Sequence, residues 1–420
     1  MGNVVNLETS AKNRSQARRR RSSRTALVLG GGGFTGGVYE IGALRALDLL
    51  SVNRSVNDFD VYVGTSAGSF VAALAANGIT PEEMMRVVTG QVPAPFPDVE
   101  AGSMLRLNLA EAAQKAALAP FRLLRLARNL AGQAGRLGQI TPMDLVLSLA
   151  ELLPSGLYSG AGIESYLRNV LESDGRTDDF RRLRQELYLS ATDLDTCERI
   201  VFGAEGWDDV SISTAVRAST ALPMVYKPVL VKNRELVDGG IVSTTNLDIA
   251  VEAGAKFIVV VNPLVPYVNE FDQKIPTLRG TRARRVSDMG FPQIGYQTFK
   301  LLAYQRLHEM ARQWEERYRG VDILLIEPGP TDELMFKTSI MNFASRVEIA
   351  RHGFESVTIR LAEDYDHFKE ICGRHGIEIS ATRVRKVVKH FGAERERTRA
   401  WRKILGQTTS TLLRQSSQSG

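Results

Sequence analysis

A serine between small residues, Gly64-Thr65-Ser66-Ala67-Gly68, follows the apolar run Phe59 to Val63 and opens a helix-forming stretch that reaches Ala76. In that context G-x-S-x-G makes a nucleophile elbow, with Gly64 and Gly68 permitting a turn sharp enough to expose the serine hydroxyl above a sheet. A serine hydroxyl attacks only once a base takes its proton. Asp238, closing the strand-like Glu235-Leu236-Val237 and followed by the turn formers Gly239-Gly240, puts a carboxylate where the carboxyl edge of a sheet would meet Ser66. Asp before Gly is also an ordinary turn, so the reading of Asp238 leans on the elbow. The histidines His308, His352, His367, His375 and His390 all lie beyond residue 300, outside the segments that build the elbow. The base expected for Ser66 is therefore a carboxylate.

The other chemical feature is the glycine run in Leu27-Val28-Leu29-Gly30-Gly31-Gly32-Gly33. Gly31-x-Gly33-x-x-Gly36 after a strand and before a helix matches a dinucleotide loop. That reading needs an acidic residue at the end of the second strand to hold a ribose. Here Asp60 stands near the beginning of that strand, and its end is Gly64-Thr65-Ser66. The loop is therefore assigned to an oxyanion, with the backbone N–H groups of Gly31, Gly32 and Gly33 aimed from a helix N-terminus at a developing negative charge.

The elements that must carry these residues read as alternating strands and helices. "TALVLG", a helix over Val38–Leu50, "FDVYVGT" and the helix from Ser66 come first; "LYLSATDL", "RIVFG", "ELVDGG" and "KFIVVVNP" follow, with helices at Ser211–Ala218 and Leu247–Ala253. This βαβ alternation predicts a sheet covered by helices on both faces. Between the halves, roughly 93–160, no strand signal is evident. Within it Arg122, Arg125 and Arg128 fall on one helical face and Leu123, Leu126, Ala127 and Leu130 on the other, with Pro120 suited to the helix start. Such a helix is either packed on the core or lies at a lipid interface. Beyond residue 266 a basic loop, a helix over 292–319, the strand-like "VDILLIEPG" and charged helices follow.

A chain of 420 residues, 44% hydrophobic and 24% charged, is globular in composition. It holds no apolar run of membrane-spanning length. Residues 1–24 form a polar arm with Arg18 to Arg21 in a row and lack the apolar core of a secretory signal. Cys197 and Cys372 are too few for a disulfide framework or a zinc cluster, so a cytoplasmic protein without metal is expected. The net charge of +6 concentrates in the arm and around Arg279–Arg285, which suits solvated segments or anionic lipid headgroups better than nucleic acid.

The ordered set "GGGGFTGG", "GTSAG" and "DGG", with "ATDLDTCERIVF", "AVRASTALPMVYKPV" and "NLDIAVEAGAKFIVVVNP" around the acid, resembles the patatin-like phospholipase family over about 25–263. The resemblance implies a three-layer α/β/α fold with a mainly parallel central sheet. It also implies a Ser66–Asp238 dyad acting through an acyl-enzyme on lipid esters, no cofactor, and an oxyanion loop at Gly31–Gly33. Many members carry Arg or Lys where this chain has Thr35. The expected organisation is a basic arm (1–24), a catalytic domain (25–265) with a helical insertion (93–160), a mostly helical extension (266–395) packed on it, and a tail (396–420). Two alternatives stay open: a Ser66–Asp238–His375 triad on an α/β-hydrolase fold, disfavoured because only one strand precedes the elbow, and a catalytically weak or inactive membrane-binding protein.

Overall fold

The computed structural model describes residues 23–91, 96–97, 101–132, 152–173, 175–266, 285–329 and 342–389, with a few short pieces between them. The expected tail and nearly all of the basic arm lie outside these residues.

Eight strands form one sheet: β1 (Thr25–Leu29), β2 (Val61–Thr65), β3 (Glu186–Asp193), β4 (Arg199–Phe202), β5 (Val229–Val231), β6 (Arg234–Asp238), β7 (Phe257–Val261) and β8 (Asp322–Ile326). Their order is β8-β7-β1-β2-β3-β6-β5, with β4 also paired to β3. From β8 to β3 every pairing is parallel. Strands β4 and β6 run antiparallel to β3, and β5 antiparallel to β6. The sheet is thus mixed and mainly parallel, as the family resemblance implies.

Every residue of β1, β2 and β7 is buried, which is why these strands read as unbroken apolar runs: a parallel sheet is covered on both faces. The two-residue period of a strand divides them between two cores. Leu27, Leu29, Tyr62 and Val259 join α1 (Gly33–Leu50) and α2 (Ala67–Ala76). Ala26, Val28, Val61, Val63 and Val260 join α4 (Leu247–Glu252) and α5 (Phe291–Ala311) on the other face. The result is the expected α/β/α layering.

The structure departs from expectation in three places. Strand β8 pairs along the whole of β7, and α6 (Arg346–Glu363) packs on α1, so the sheet and core run past the boundary expected at residue 265. In the insertion, α3 spans Leu109–Gly132 and carries Pro120 in its interior rather than at its start; proline removes one N–H bond there, and the surrounding Ala and Leu residues, good helix formers, carry the helix through. The insertion also holds a strand, Gly156–Tyr158, paired with Met224–Tyr226. Three residues are too few to show a two-residue period.

The contact of α1 with α6 is made backbone to backbone by two glycines. A Cβ on Gly42 would come within 2.2 Å of the Ala350 carbonyl oxygen, and one on Gly353 within 2.4 Å of that of Tyr39. Gly42→Ala is accordingly expected to cost about 3 kcal/mol, because neither helix can give way without opening the core. Gly373, with open space around its α-carbon, serves as the control: Gly373→Ala should gain up to about 1 kcal/mol from helix propensity. Thermal melts of the two variants check both signs.

Candidate active site

The site is built where two strand ends collide. Along one edge of β3, β2 pairs in parallel as far as Thr65 opposite Ser190, and β6 comes from the other direction to place Asp238 opposite Ala191. Strand β4 occupies the other edge at the same residues. The carboxyl ends of β2 and β6 therefore point at each other across adjacent register positions.

Ser66 stands at that junction, between β2 and α2, with φ 53° and ψ −126°. Positive φ is costly for a residue with a Cβ and persists only where the surroundings enforce it. Here they do. A Cβ on Gly68 would lie 2.4 Å from the Leu29 carbonyl oxygen and one on Gly64 2.5 Å from the Ser69 α-carbon, so glycine alone fits either flank. The Gly68 N–H donates to the Gly30 carbonyl at 3.1 Å, and the Ser66 N–H to Ser219 Oγ at 2.9 Å.

The Ser66 hydroxyl donates to Asp238 Oδ2 at 2.6 Å. The other carboxylate oxygen accepts from the Gly240 N–H at 2.7 Å. Asp238 is only 2% exposed, and burial raises its pKa to about 6 against the opposing pull of these two hydrogen bonds. Gly239 is pressed against β3, where a Cβ would meet the Ser190 carbonyl oxygen at 2.3 Å; a Cβ on Gly240 would sit 3.0 Å from Asp238 Oδ1.

The glycine loop lies over the same point. A Cβ on Gly31 would be 3.3 Å from that of Ser66. The Gly31 N–H, however, donates to the Thr244 carbonyl at 3.1 Å, which removes it from the expected set of oxyanion donors. Gly32 and Gly33 remain, as the N-cap and first residue of α1, positions whose amides have no partner within a helix. Gly33 adopts φ 64°, while Gly32 and Gly36 lean on the Pro263 ring, to which a Cβ would approach within 2.8 and 3.0 Å. Thr35 is buried within α1.

Two supports escaped sequence reasoning. Asn246, fully buried at φ 47°, donates through Nδ2 to Thr65 Oγ1, Ser190 Oγ and the Ser243 carbonyl at 2.7–2.9 Å. It ties the end of β2 to β3 and to the turn after Asp238. Its one legible signal is an Asn ahead of a helix, where left-handed backbone is common. Pro263, behind the glycine loop, had no signal beyond its place after β7.

The histidines are elsewhere. His375 Nε2 pairs with Asp322 Oδ2 at 2.7 Å and its ring stacks on Phe257. Asp322 and Phe257 begin β8 and β7, so His375 sits at the amino edge of the parallel sheet, opposite the edge that carries Ser66. This overturns the Ser66–Asp238–His375 triad. His308 and His352 are engaged by Glu327 and Asp332, and His390 lies outside the described residues. Among the described residues no cluster of His, Cys, Asp or Glu suits a metal ion.

Above Ser66 opens a cavity of about 140 Å³. Its walls are overwhelmingly apolar, with Phe34, Phe70, Ile163, Leu222 and Phe299 facing the serine, Asp238 and Gly31–Gly33. A serine on a strand–turn–helix elbow, joined to a carboxylate at the carboxyl edge of an α/β/α sheet, defines the class to which this site belongs. Residues 27–251, more than half of the chain, match the family described as patatin-like phospholipase. The chain belongs to that family.

It is similar, at 22% identity over 232 residues, to "Probable lipid hydrolase 463L" of Invertebrate iridescent virus 6, a match covering 54% of this chain and 63% of that protein. Among solved structures it is similar to VipD from Legionella pneumophila, with 13% identity, 80% of this chain and 66% of that one covered, and a TM-score of 0.35. It is also similar to the full-length ExoU–SpcU complex from the type III secretion system of Pseudomonas aeruginosa, with 14% identity, coverage of 90% and 62%, and a TM-score of 0.29. The chain spans just under two thirds of the length of each.

A carboxylate whose pKa is raised on folding stabilises the folded state below its unfolded pKa of 3.8 and loses that contribution as pH rises through about 6. Asp238→Asn keeps an acceptor for the Gly240 N–H and carries no charge. The variant should therefore be more stable than wild type at pH 8, by up to about 3 kcal/mol for a shift of roughly two units. The gap should close by pH 4. Denaturant unfolding of both proteins at the two pH values measures it.

Proposed function

We propose that this chain is a lipid acyl hydrolase of the phospholipase A or lysophospholipase type, working through a Ser66–Asp238 dyad. One observation carries the reading: a strained serine donates a 2.6 Å hydrogen bond to a buried carboxylate at the base of an apolar cavity. Such a cavity suits an acyl chain, and the carboxylate is placed to take the proton of the hydroxyl as Oγ attacks the ester carbonyl.

The steps follow from these groups. As the Ser66 Oγ–carbonyl carbon bond forms, the hydroxyl proton passes to Asp238 Oδ2 and the carbonyl oxygen becomes an oxyanion. The Gly32 and Gly33 amides are the donors nearest to hand for that charge, and a donor of this kind is worth about 3–4 kcal/mol in the transition state. Collapse of the adduct breaks the ester bond, and the proton on Asp238 goes to the departing alcohol oxygen. Water then enters, gives a proton to Asp238 and attacks the acyl-enzyme; the proton returns to Ser66 as the fatty acid leaves. A pKa near 6 for Asp238 leaves it mostly ionised at neutral pH and makes it a stronger base than an exposed aspartate.

The exposed helix α3 supports contact with an anionic membrane surface. Phe121 is 72% exposed, and Leu123 and Leu124 are exposed beside Arg122, Arg125 and Arg128, so these leucines are not buried in the core. Apolar side chains among arginines on one exposed helix suit the boundary between acyl chains and phosphates. Among the described residues no helix is long and apolar enough to cross a membrane.

Ser66→Ala and Asp238→Asn should each lower hydrolysis of a short soluble ester such as 4-nitrophenyl butyrate by about a thousandfold or more, with circular dichroism unchanged. His375→Ala should retain most activity. The kcat/KM of wild type should fall tenfold per unit below about pH 6, where Asp238 takes up its proton. Turnover that survives Ser66→Ala would instead mark the chain as inactive at this site. Changing Arg122, Arg125 and Arg128 together to Gln should weaken salt-sensitive sedimentation with vesicles containing phosphatidylglycerol, at about 1 kcal/mol per charge. Turnover of the soluble ester should be spared.

A further inference from the structure

Thr244 lines the cavity at 4% exposure, in the turn between Asp238 and α4. Thr220, the other threonine of the lining, donates its hydroxyl to the Val216 carbonyl at 2.8 Å. Among the described residues the Thr244 hydroxyl has no hydrogen-bond partner. A buried hydroxyl left without a partner is costly, and neither the dyad nor the glycine loop makes use of this one. We propose that Thr244 is a further catalytic residue of the site, its hydroxyl donating to the oxyanion that forms when Ser66 attacks an ester. This rests on the acyl hydrolase reading above.

The place of Thr244 is fixed from two sides. Its carbonyl accepts the Gly31 N–H at 3.1 Å, and a Cβ on Gly31 would stand 3.3 Å from the Ser66 Cβ and 3.9 Å from its Oγ. Its methyl carbon lies 3.7 Å from where a Cβ on Gly240 would be, and the Gly240 N–H holds Asp238 Oδ1. Thr244 thus joins the glycine loop to the turn that carries the acid. With the carbonyl tied to the loop and the methyl set against Gly240, the hydroxyl is the branch left to meet what the cavity binds. The residue that takes the Gly31 amide out of the donor set offers a donor in its place.

A hydroxyl on a wall of this kind distinguishes the two states of the ester. To the neutral carbonyl of bound substrate it gives an ordinary hydrogen bond; to the oxyanion it gives a charge-assisted one, about twice as strong. Only the difference lowers the barrier, so the group acts on kcat and leaves KM nearly alone. Thr245, the next residue, supplies the contrast. Its hydroxyl also has no partner among the described residues, but it is enclosed and does not line the cavity.

The experiment measures kcat and KM for 4-nitrophenyl butyrate and ethyl butyrate, whose leaving alcohols differ widely in acidity, in wild type, Thr244→Val, Thr244→Ser and Thr245→Val. Valine keeps the shape of the side chain and the main-chain carbonyl that holds Gly31. Thr244→Val should lower kcat about a hundredfold on both esters while KM changes less than about threefold. Thr244→Ser should recover most of that loss, and Thr245→Val should stay within about twofold of wild type. Hexyl trifluoromethyl ketone adds to a serine Oγ to give a hemiketal oxyanion, the hydroxyl proton passing to the carboxylate. Its inhibition constant should rise in Thr244→Val by the factor by which kcat/KM falls. A loss confined to ethyl butyrate would put the hydroxyl on the departing alcohol, and a loss carried by KM would make it a contact of the bound ester; either overturns the proposal, as does a folded Thr244→Val with unchanged kcat. Should Thr244→Val melt below assay temperature, the comparison of Thr244→Ala with Thr244→Ser carries the same test. A wild type that neither turns over an ester nor binds the ketone overturns the hydrolase reading and this proposal with it. Turnover that needs Ser66 but not the Thr244 hydroxyl overturns this proposal alone.

Discussion

The structure depends on one edge of β3 serving two strands that arrive from opposite directions. Had β6 continued the parallel order, its carboxyl end would lie beside that of β2, one strand spacing or more away. By entering antiparallel and end-on, it brings Asp238 into line with Ser66, opposite the adjacent residues Ala191 and Ser190. A 2.6 Å hydrogen bond then needs only the turn at Ser66. No third residue is needed to span a gap between Ser66 and Asp238, and no described histidine lines the cavity above them.

The cost of that arrangement is spread over its supports. A left-handed serine, a carboxylate at 2% exposure and a fully buried Asn246 are each unfavourable when taken alone. Together they satisfy one another: the Asp238 oxygens take the Ser66 hydroxyl and the Gly240 amide, and Asn246 Nδ2 gathers Thr65, Ser190 and Ser243. The glycines at 64, 68 and 239 are fixed by close backbone approach rather than by chemistry, since a Cβ at any of them would strike a neighbouring main-chain or Cα atom. This is stability spent on a poised site, a pattern common where catalysis needs strain.

What the sequence made legible follows the range of the interactions. Ser66, Asp238 and the glycine loop announce themselves because each is a local turn with local requirements, and the buried strands do so because both of their faces are covered. Three features of the pairing could not be read from local sequence patterns. The antiparallel entry of β6 is decided by a short hairpin with β5, whose residues Val229–Val231 give too short a run to read. The engagement of Gly31 by Thr244 is a contact across more than two hundred residues, and it leaves Gly32 and Gly33 as the proposed oxyanion donors. Strand β8 looks like a strand in isolation, but only its pairing with β7 shows that the sheet extends into the mostly helical extension expected to pack on the core.

That extension changes how the cavity should be understood. The family match ends at residue 251, yet Tyr296, Phe299, Phe343 and Arg346 all line the space above Ser66. The matched segment supplies Ser66, Asp238 and the glycine loop, the groups proposed above to act on an ester. Walls contributed from beyond it enclose those groups, and they are tied to the loop by the stacking of Phe343 on Phe34. The glycine-to-backbone contacts of α6 with α1 hold Arg346, the first residue of α6, against the helix that the glycine loop opens. The groups proposed to react and the walls around them thus come from different stretches of sequence, joined in part through one helix pair.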